Sequence, residues 1–259
     1  MSNPQAAPAA PRKYRPLTFG VTRAMVREQP DGAQYVRAEQ ALDAHAQRMS
    51  DRLIHWAREA PDRTFIAQRV RGADGKTGDW RHVSYAQAHD AARRIGQALL
   101  DRGLSQERPV VILSDNGIDH ALLALGCLYV GVPYSPASPA YSTISKDYGK
   151  LRHVVDTLTP GLIWAEDGDR YGAAIAAVAP AGCEVAVSRH ADHAHIKGRA
   201  TTAFADLLAT EPTPAVDAAQ AATGPDTIVK FLFTSGSTKL PKAVINTNRM
   251  WWANQQQMR

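Results

Sequence analysis

Apolar residues along the chain recur with two different spacings. Leu42, Ala46, Met49, Leu53, Trp56 and Ala60 lie four and three residues apart, one face of a helix that Pro61 ends. TFIAQRV and WRHVS flank the turn-rich GADGKTG, and this pattern predicts a β-hairpin in the N-terminal part of the chain. Ser84 can cap a helix whose stripe is Ala88, Ala92, Ile95 and Leu99, and Gly103 ends it.

Beyond this point strands and helices alternate. PVVIL, residues 109–113, has the unbroken apolarity of a buried strand, and Asp115 or Asn116 can cap the helix after it. A strand around Val132-Pro133-Tyr134 leads through SPASPAYS to a helix near Lys146 to Leu158. GLIWA reads as a strand, Asp169 to Val178 as a helix and CEVAV as a strand. Residues 188–226, richer in Ala, Thr and Pro, read as a surface excursion carrying a short helix at Ala203 to Ala209. The strand Thr227 to Phe233 follows. The alternation predicts an α/β fold, a mostly parallel sheet with helices on both faces. Strands near 109–113, 161–165, 183–187 and 227–233 are expected in that one sheet. The last segment reads as a helix opening near Thr247 or Asn248 with no exit signal, so the chain is expected to be the front part of a longer protein.

Composition narrows the class. Hydrophobic content of 44% and charged content of 21% are those of a soluble globular protein. The net charge is +5, yet Lys and Arg are scattered and no aromatic-basic interleaving marks a nucleic-acid surface. A substrate bearing several phosphates suits the same charge. The longest apolar run, Ala121 to Pro133, is too short to span a bilayer, and the N-terminus has no apolar signal core. Cys127 and Cys183 form no disulfide framework, and Cys127 reads as a small buried hydrophobe. A cytoplasmic protein without membrane or nucleic-acid partners is the expectation, its oligomeric state left open. His190, His193 and His195 cluster, but Arg189, Lys197 and Arg199 around them repel cations, so no metal site is expected. No H-E-x-x-H, G-x-S-x-G or C-x-x-C occurs.

The segment TSGSTKLPKA, Thr234 to Ala243, concentrates four hydroxyls, one glycine and two lysines between two strand-like runs. Backbone N–H groups curled into a nest bind phosphate oxygens, hydroxyls add donors, and a lysine adds point charge. Ser235, Gly236, Ser237, Thr238 and Lys242 have that chemistry. The plainer alternative is a surface hairpin turn. The spacing G-x-x-x-x-G-K-[ST] is absent, because position 241 is Pro, and this loop joins strand to strand rather than strand to helix. A Walker-type nucleotide hydrolase is excluded.

T-S-G-S-T-x-x-P-K resembles the signature loop of the adenylate-forming superfamily of acyl-CoA synthetases, peptide-synthetase adenylation domains and luciferases. VSYAQAHDAARRIGQALLDRGL is similar to that family's first helix, and RPVVILSDNGIDHALLALGCLYVGVPYSPASPAYS to its second conserved block. Within the superfamily, SPAYSTISKDYGKLRHVVDTLTPGLIWAED and KFLFTSGSTKLPKAVINTNRMWWANQQQM resemble bacterial feruloyl-CoA synthase. The Ala- and Pro-rich start reads as a disordered leader over 1–14, and the resemblance implies, over 15–259, an incomplete N-terminal domain of an acid-CoA ligase. It implies ATP, magnesium and coenzyme A, with a hydroxycinnamic acid activated as its acyl adenylate before thioester formation. Thr234, Ser235, Gly236, Ser237, Thr238 and Lys242 would hold the β- and γ-phosphates, and Lys242 would neutralise charge on departing pyrophosphate. Lys239 and Ala243 stand where the family usually has glycine, and Asn248 where many relatives carry a histidine near the acyl pocket. Trp251 and Trp252 are candidates for touching an aromatic acid, or simply core. A ligase for another aryl or fatty acid, and a non-catalytic nucleotide- or partner-binding fragment, are the alternatives.

Overall fold

The computed structural model describes residues 23–44, 47–71, 76–192, 196, 199, 201–234 and 240–258. Residues 23–44 and 255–258 belong to one compact unit, 47–254 to another. In the first, β1 (Ala24–Glu28) and β2 (Gln34–Ala38) form an antiparallel hairpin with every side chain exposed. Gly32, at φ +82°, makes the turn.

The second unit opens with α1 (Ser50–Glu59), β3 (Thr64–Arg71), β4 (Thr77–Ser84) and α2 (Tyr85–Asp101). Then come β5 (Val110–Leu113), α3 (Ile118–Val130), β6 (Tyr134–Pro136), α4 (Pro139–Thr143) and α5 (Gly149–Leu158). They are followed by β7 (Leu162–Ala165), α6 (Gly168–Val178), β8 (Glu184–Val187), β9 (Thr201–Ala203), α7 (Phe204–Ala209) and α8 (Pro214–Ala222). The chain finishes with β10 (Ile228–Thr234), β11 (Lys242–Thr247) and α9 (Asn248–Gln257). Among the described residues no helix is long and apolar enough to cross a membrane.

Seven strands form one sheet in the order β11-β10-β6-β5-β7-β8-β9, parallel throughout except for the antiparallel β10–β11 pair. The expected strands all lie in it, as β5, β7, β8 and β10. Side chains of a strand alternate between faces, and here both faces are covered. Val110, Ile112, Leu162, Trp164 and Ala186 enter one core with α1, α2, α3, α7 and α8. Val111, Leu113, Ile163, Ala165, Val185 and Val187 enter the other, with α5 and α6. Each fully buried aliphatic contributes about 1.5–3 kcal/mol relative to exposure, which explains why β5, β7 and β8 carry almost no polar residue.

The α2–α3 contact brings two backbones close. A Cβ at Gly126 would lie 2.4 Å from Ile95 Cγ2, and one at Gly96 would lie 2.8 Å from Val130 Cγ1. Ser84 caps α2 as expected, in a capping box: its hydroxyl accepts from Gln87 N–H and Gln87 Oε1 accepts from Ser84 N–H.

Three expectations need correction. The first helix begins at Ser50 rather than Leu42, so the periodic stripe over-reaches by about two turns. Neither Asp115 nor Asn116 caps α3; Gly117 holds the cap position, and the Ile118 N–H is taken from outside the helix by Gln68 Oε1 at 3.1 Å. The helix expected from Lys146 starts at Gly149, because Asp147 is held in a local turn by Ser145 Oγ and Gly149 N–H. The excursion also contains α8, started by Thr213 as N-cap and Pro214 at the first helical position. The 1–14 leader and part of the β3–β4 turn (72–75) lie outside the described residues.

Candidate active site

The hydroxyl-rich segment lies between β10 and β11. In their antiparallel register Thr234 is directly opposite Lys242, and opposite residues project to the same side of the sheet. A hydroxyl and an ammonium thus stand together at the loop end of the hairpin, where β10 leaves and β11 returns. Both side chains are exposed, and Lys242 makes no hydrogen bond or ion pair among the described residues. Ser235, Gly236, Ser237, Thr238 and Lys239 lie outside the described residues.

The C-terminal end of the loop is fixed to the domain. Pro241 is buried and its carbonyl accepts a hydrogen bond from His153 Nε2 of α5 at 2.9 Å. The His153 ring meets Phe233 edge-on, with centroids 6.2 Å apart. Lys242 therefore follows directly on a held position.

Asn248 does not act as an open pocket wall. It is 2% exposed, its Oδ1 accepts from Met49 N–H and its Nδ2 donates to the Gly224 carbonyl, tying the start of α9 to α1 and to the turn before β10. Trp251 packs on the helical core and lines an apolar cavity of about 260 Å³ with Leu53, Trp56, Phe65, Tyr85 and Leu128. His190 meets Asp167 Oδ1 at 3.0 Å and Asp169 Oδ2 at 3.3 Å, while Arg189 also pairs with Asp167. Asp167 caps α6, so the group reads as a helix-end latch; His193 and His195 lie outside the described residues.

Lys230 is a residue that the sequence pattern did not single out. It sits in β10 opposite Tyr134, and its Nζ lies 5.5 Å from the Tyr134 ring and 5.8 Å from the Trp251 ring. Partial burial lowers its pKa from the ordinary lysine value, and the two aromatic faces partly offset that loss of hydration. A charged residue inside the otherwise apolar IVKFLF was the available signal.

Two partly buried histidines weaken the fold on acidification, while His190, whose pKa Asp167 raises, acts in the opposite sense at the surface. Burial, the largest influence on each, holds His89 and His120 below the usual imidazole value of 6.5. The unfolded chain therefore binds protons in a range where the folded chain does not. Stability is complete above about pH 6.5 and declines as pH falls through the lower folded values. A melting temperature that drops on acidification from pH 7 to pH 5, less steeply in a His89→Gln, His120→Gln variant, is expected; identical slopes would refute it.

The profile of the AMP-binding enzyme family matches residues 53–259, and the chain belongs to this family. Long chain acyl-CoA synthetase 2 of Arabidopsis thaliana is 33% identical over 76 residues, 29% of this chain and 11% of that protein. Fatty acid–acyl-carrier-protein ligase ScoC of Streptomyces coeruleorubidus is 26% identical over 190 residues, 73% of this chain and 33% of that one. Among solved structures, the fatty acyl-adenylate ligase from L. pneumophila in complex with acyl adenylate and pyrophosphate shares the fold. Its TM-score is 0.57 at 19% identity, covering 83% of this chain and 33% of that one. The chain thus spans a third or less of each of these three relatives.

Proposed function

We propose that this chain is the phosphate-holding part of an ATP-dependent acid-CoA ligase, acting on a hydroxycinnamic acid such as ferulate. The observation that carries the reading is the Thr234–Lys242 pair at the mouth of a hydroxyl-rich hairpin, with the lysine uncommitted to any other partner among the described residues. In this reading Thr234, Ser235, Gly236, Ser237 and Thr238 supply hydroxyl and backbone donors to the β- and γ-phosphates of ATP. Lys242 lies against the pyrophosphate that leaves. The donor set fits the group: it offers hydroxyls, amides and one cation, and no carboxylate that would repel phosphate. Magnesium, where bound with ATP, would supply further positive charge against the phosphates beside Lys242.

A carboxylate is a poor electrophile because attack on it must expel oxide. Converting it to a mixed anhydride with AMP supplies a good leaving group, and the thiol of coenzyme A then displaces AMP to give the thioester. Residues 15–259 are, in this reading, the front part of the large N-terminal domain of such an enzyme.

A fatty acid is the second substrate reading, favoured by the names of two of the relatives, a long chain acyl-CoA synthetase and a fatty acid–acyl-carrier-protein ligase. Pyrophosphate release by the intact gene product, supplied with ATP, magnesium and either ferulate or a fatty acid, decides between them. Release with ferulate followed by CoA-dependent thioester formation supports the first. Release with neither acid removes both substrate readings and leaves a ligase for another aryl acid or a nucleotide- or partner-binding role.

A further inference from the structure

The order β6-β5-β7-β8 contains a reversal. From β5 the chain crosses by α3 to β6 on one side, and from β6 it returns by α4 and α5 to β7 on the other. At such a switch point the loops leaving the carboxyl ends of neighbouring strands part, and a crevice opens where ligands bind in open α/β sheets. A cleft of about 560 Å³ lies at this place, reached by the residues that follow β5, β7 and β8 and roofed by β3 and β4. It contains no residue of the β10–β11 hairpin.

Its charges are of two kinds. Arg81 pairs with Asp119, Arg170 with Asp115 and Glu166, and Arg189 with Asp167. Arg69 has no carboxylate among the described residues: its guanidinium donates to the Gly78 carbonyl at 3.2 Å and lies 4.8 Å from the Trp80 ring centroid. Two further donors in the wall are unused. Trp164 is 1% exposed, and neither its Nε1–H nor the Ser188 hydroxyl, both shielded from solvent, has a hydrogen-bond partner among the described residues. His120 lines the same cleft; its Nδ1 is engaged by Ser114 and Asp115, while its Nε2 makes no hydrogen bond among the described residues. The first N–H of α3 is already taken by Gln68, so side chains, not the helix end, supply the recognition.

We propose that this switch-point cleft is a second ligand site, separate from the hydroxyl-rich hairpin, for a small polar organic oxyanion. Arg69 is the charge partner of the anion, His120 Nε2 meets its polar groups, and Trp164 and Ser188 lie just beneath the wall, close enough for the indole to sense occupancy. A volume of about 560 Å³ suits a sugar phosphate or a polycarboxylate and is generous for a bare inorganic ion. The proposal does not depend on the ligase reading.

The indole N–H resonance of Trp164, assigned with a Trp164→Phe variant, reports the site directly. Glucose 6-phosphate and citrate are titrated separately in the absence of ATP. A saturating shift with either supports the site and tells which oxyanion source it prefers. Arg69→Ala is expected to weaken that binding about tenfold or more, Arg69→Lys less, and Lys242→Ala not at all. Should Arg69→Ala fail to fold, the wild-type titration and the Arg69→Lys arm still decide. No saturable shift with either probe up to about 10 mM would overturn the proposal. So would binding that Lys242→Ala abolishes and Arg69→Lys leaves intact.

Discussion

Replacing Lys242 by alanine in the intact gene product is expected to lower acid-dependent pyrophosphate release by about 10²–10³-fold, the scale for losing one aligned group that stabilises transition-state charge. The reasoning rests on position. Lys242 opens β11, directly across from Thr234 and one residue after Pro241, whose carbonyl is held by His153. With the backbone already held, only the rotamer freedom of the lysine, about 1.5–2 kcal/mol, is lost when its charge is brought against a departing polyphosphate. The loss should fall on kcat, with substrate KM changing far less, because the charge being met develops as the bond breaks. Lys242→Arg should recover part of the rate. An alanine variant with unchanged turnover would remove Lys242 from the chemistry. Glycine restored at 239 and 243 should raise the rate if Lys239 and Ala243 stiffen the loop, since β-carbons restrict the backbone.

The second large effect is on stability. Gly126→Val should lower the free energy of unfolding by about 3 kcal/mol, read as a shift of the urea midpoint. The new Cβ would lie 2.4 Å from Ile95 Cγ2 and 2.7 Å from Ile95 Cβ, and Ile95 is itself fully buried with nowhere to retreat. Removing a helical glycine returns about 0.5–1 kcal/mol of backbone entropy, which is too little to offset the clash. Gly182→Ala is the matched control: nothing lies within 4 Å of its Cβ, so a change within about 0.5 kcal/mol is expected. Equal midpoints for the two variants would show that α2 and α3 can slide apart freely.

The layered sheet was readable from sequence because burial on both faces leaves continuous apolar strands. PVVIL, GLIWA and CEVAV announce themselves, and Ser84 with Gln87 marks a helix start within four residues. What stayed hidden depends on contacts between distant segments. Gln68 closes the first turn of α3 from 50 residues away, a pairing that no local pattern encodes. β1 and β2 have every side chain exposed, so no hydrophobic alternation marked them. The switch-point cleft joins Arg69, His120, Trp164 and Ser188, which are unremarkable in sequence and acquire meaning only when three strand ends meet. Of the hydroxyl-rich segment, composition supplied the chemistry and the register of Thr234 against Lys242 supplied a direction.

The place of β11 at the end of the sheet has a colloidal consequence. Among the described residues it pairs with β10 alone, so one row of its amides and carbonyls points outward, beside Leu232, Val244 and Ile245 at 41%, 44% and 49% exposure. Such a rim can template another strand in cross-β fashion, and encounters between two rims grow with the square of concentration. Dilution, more than cooling, is what would keep the purified chain dispersed. The exposed Lys242 at the start of this strand works against such pairing, because two identical edges meeting there bring like charges together.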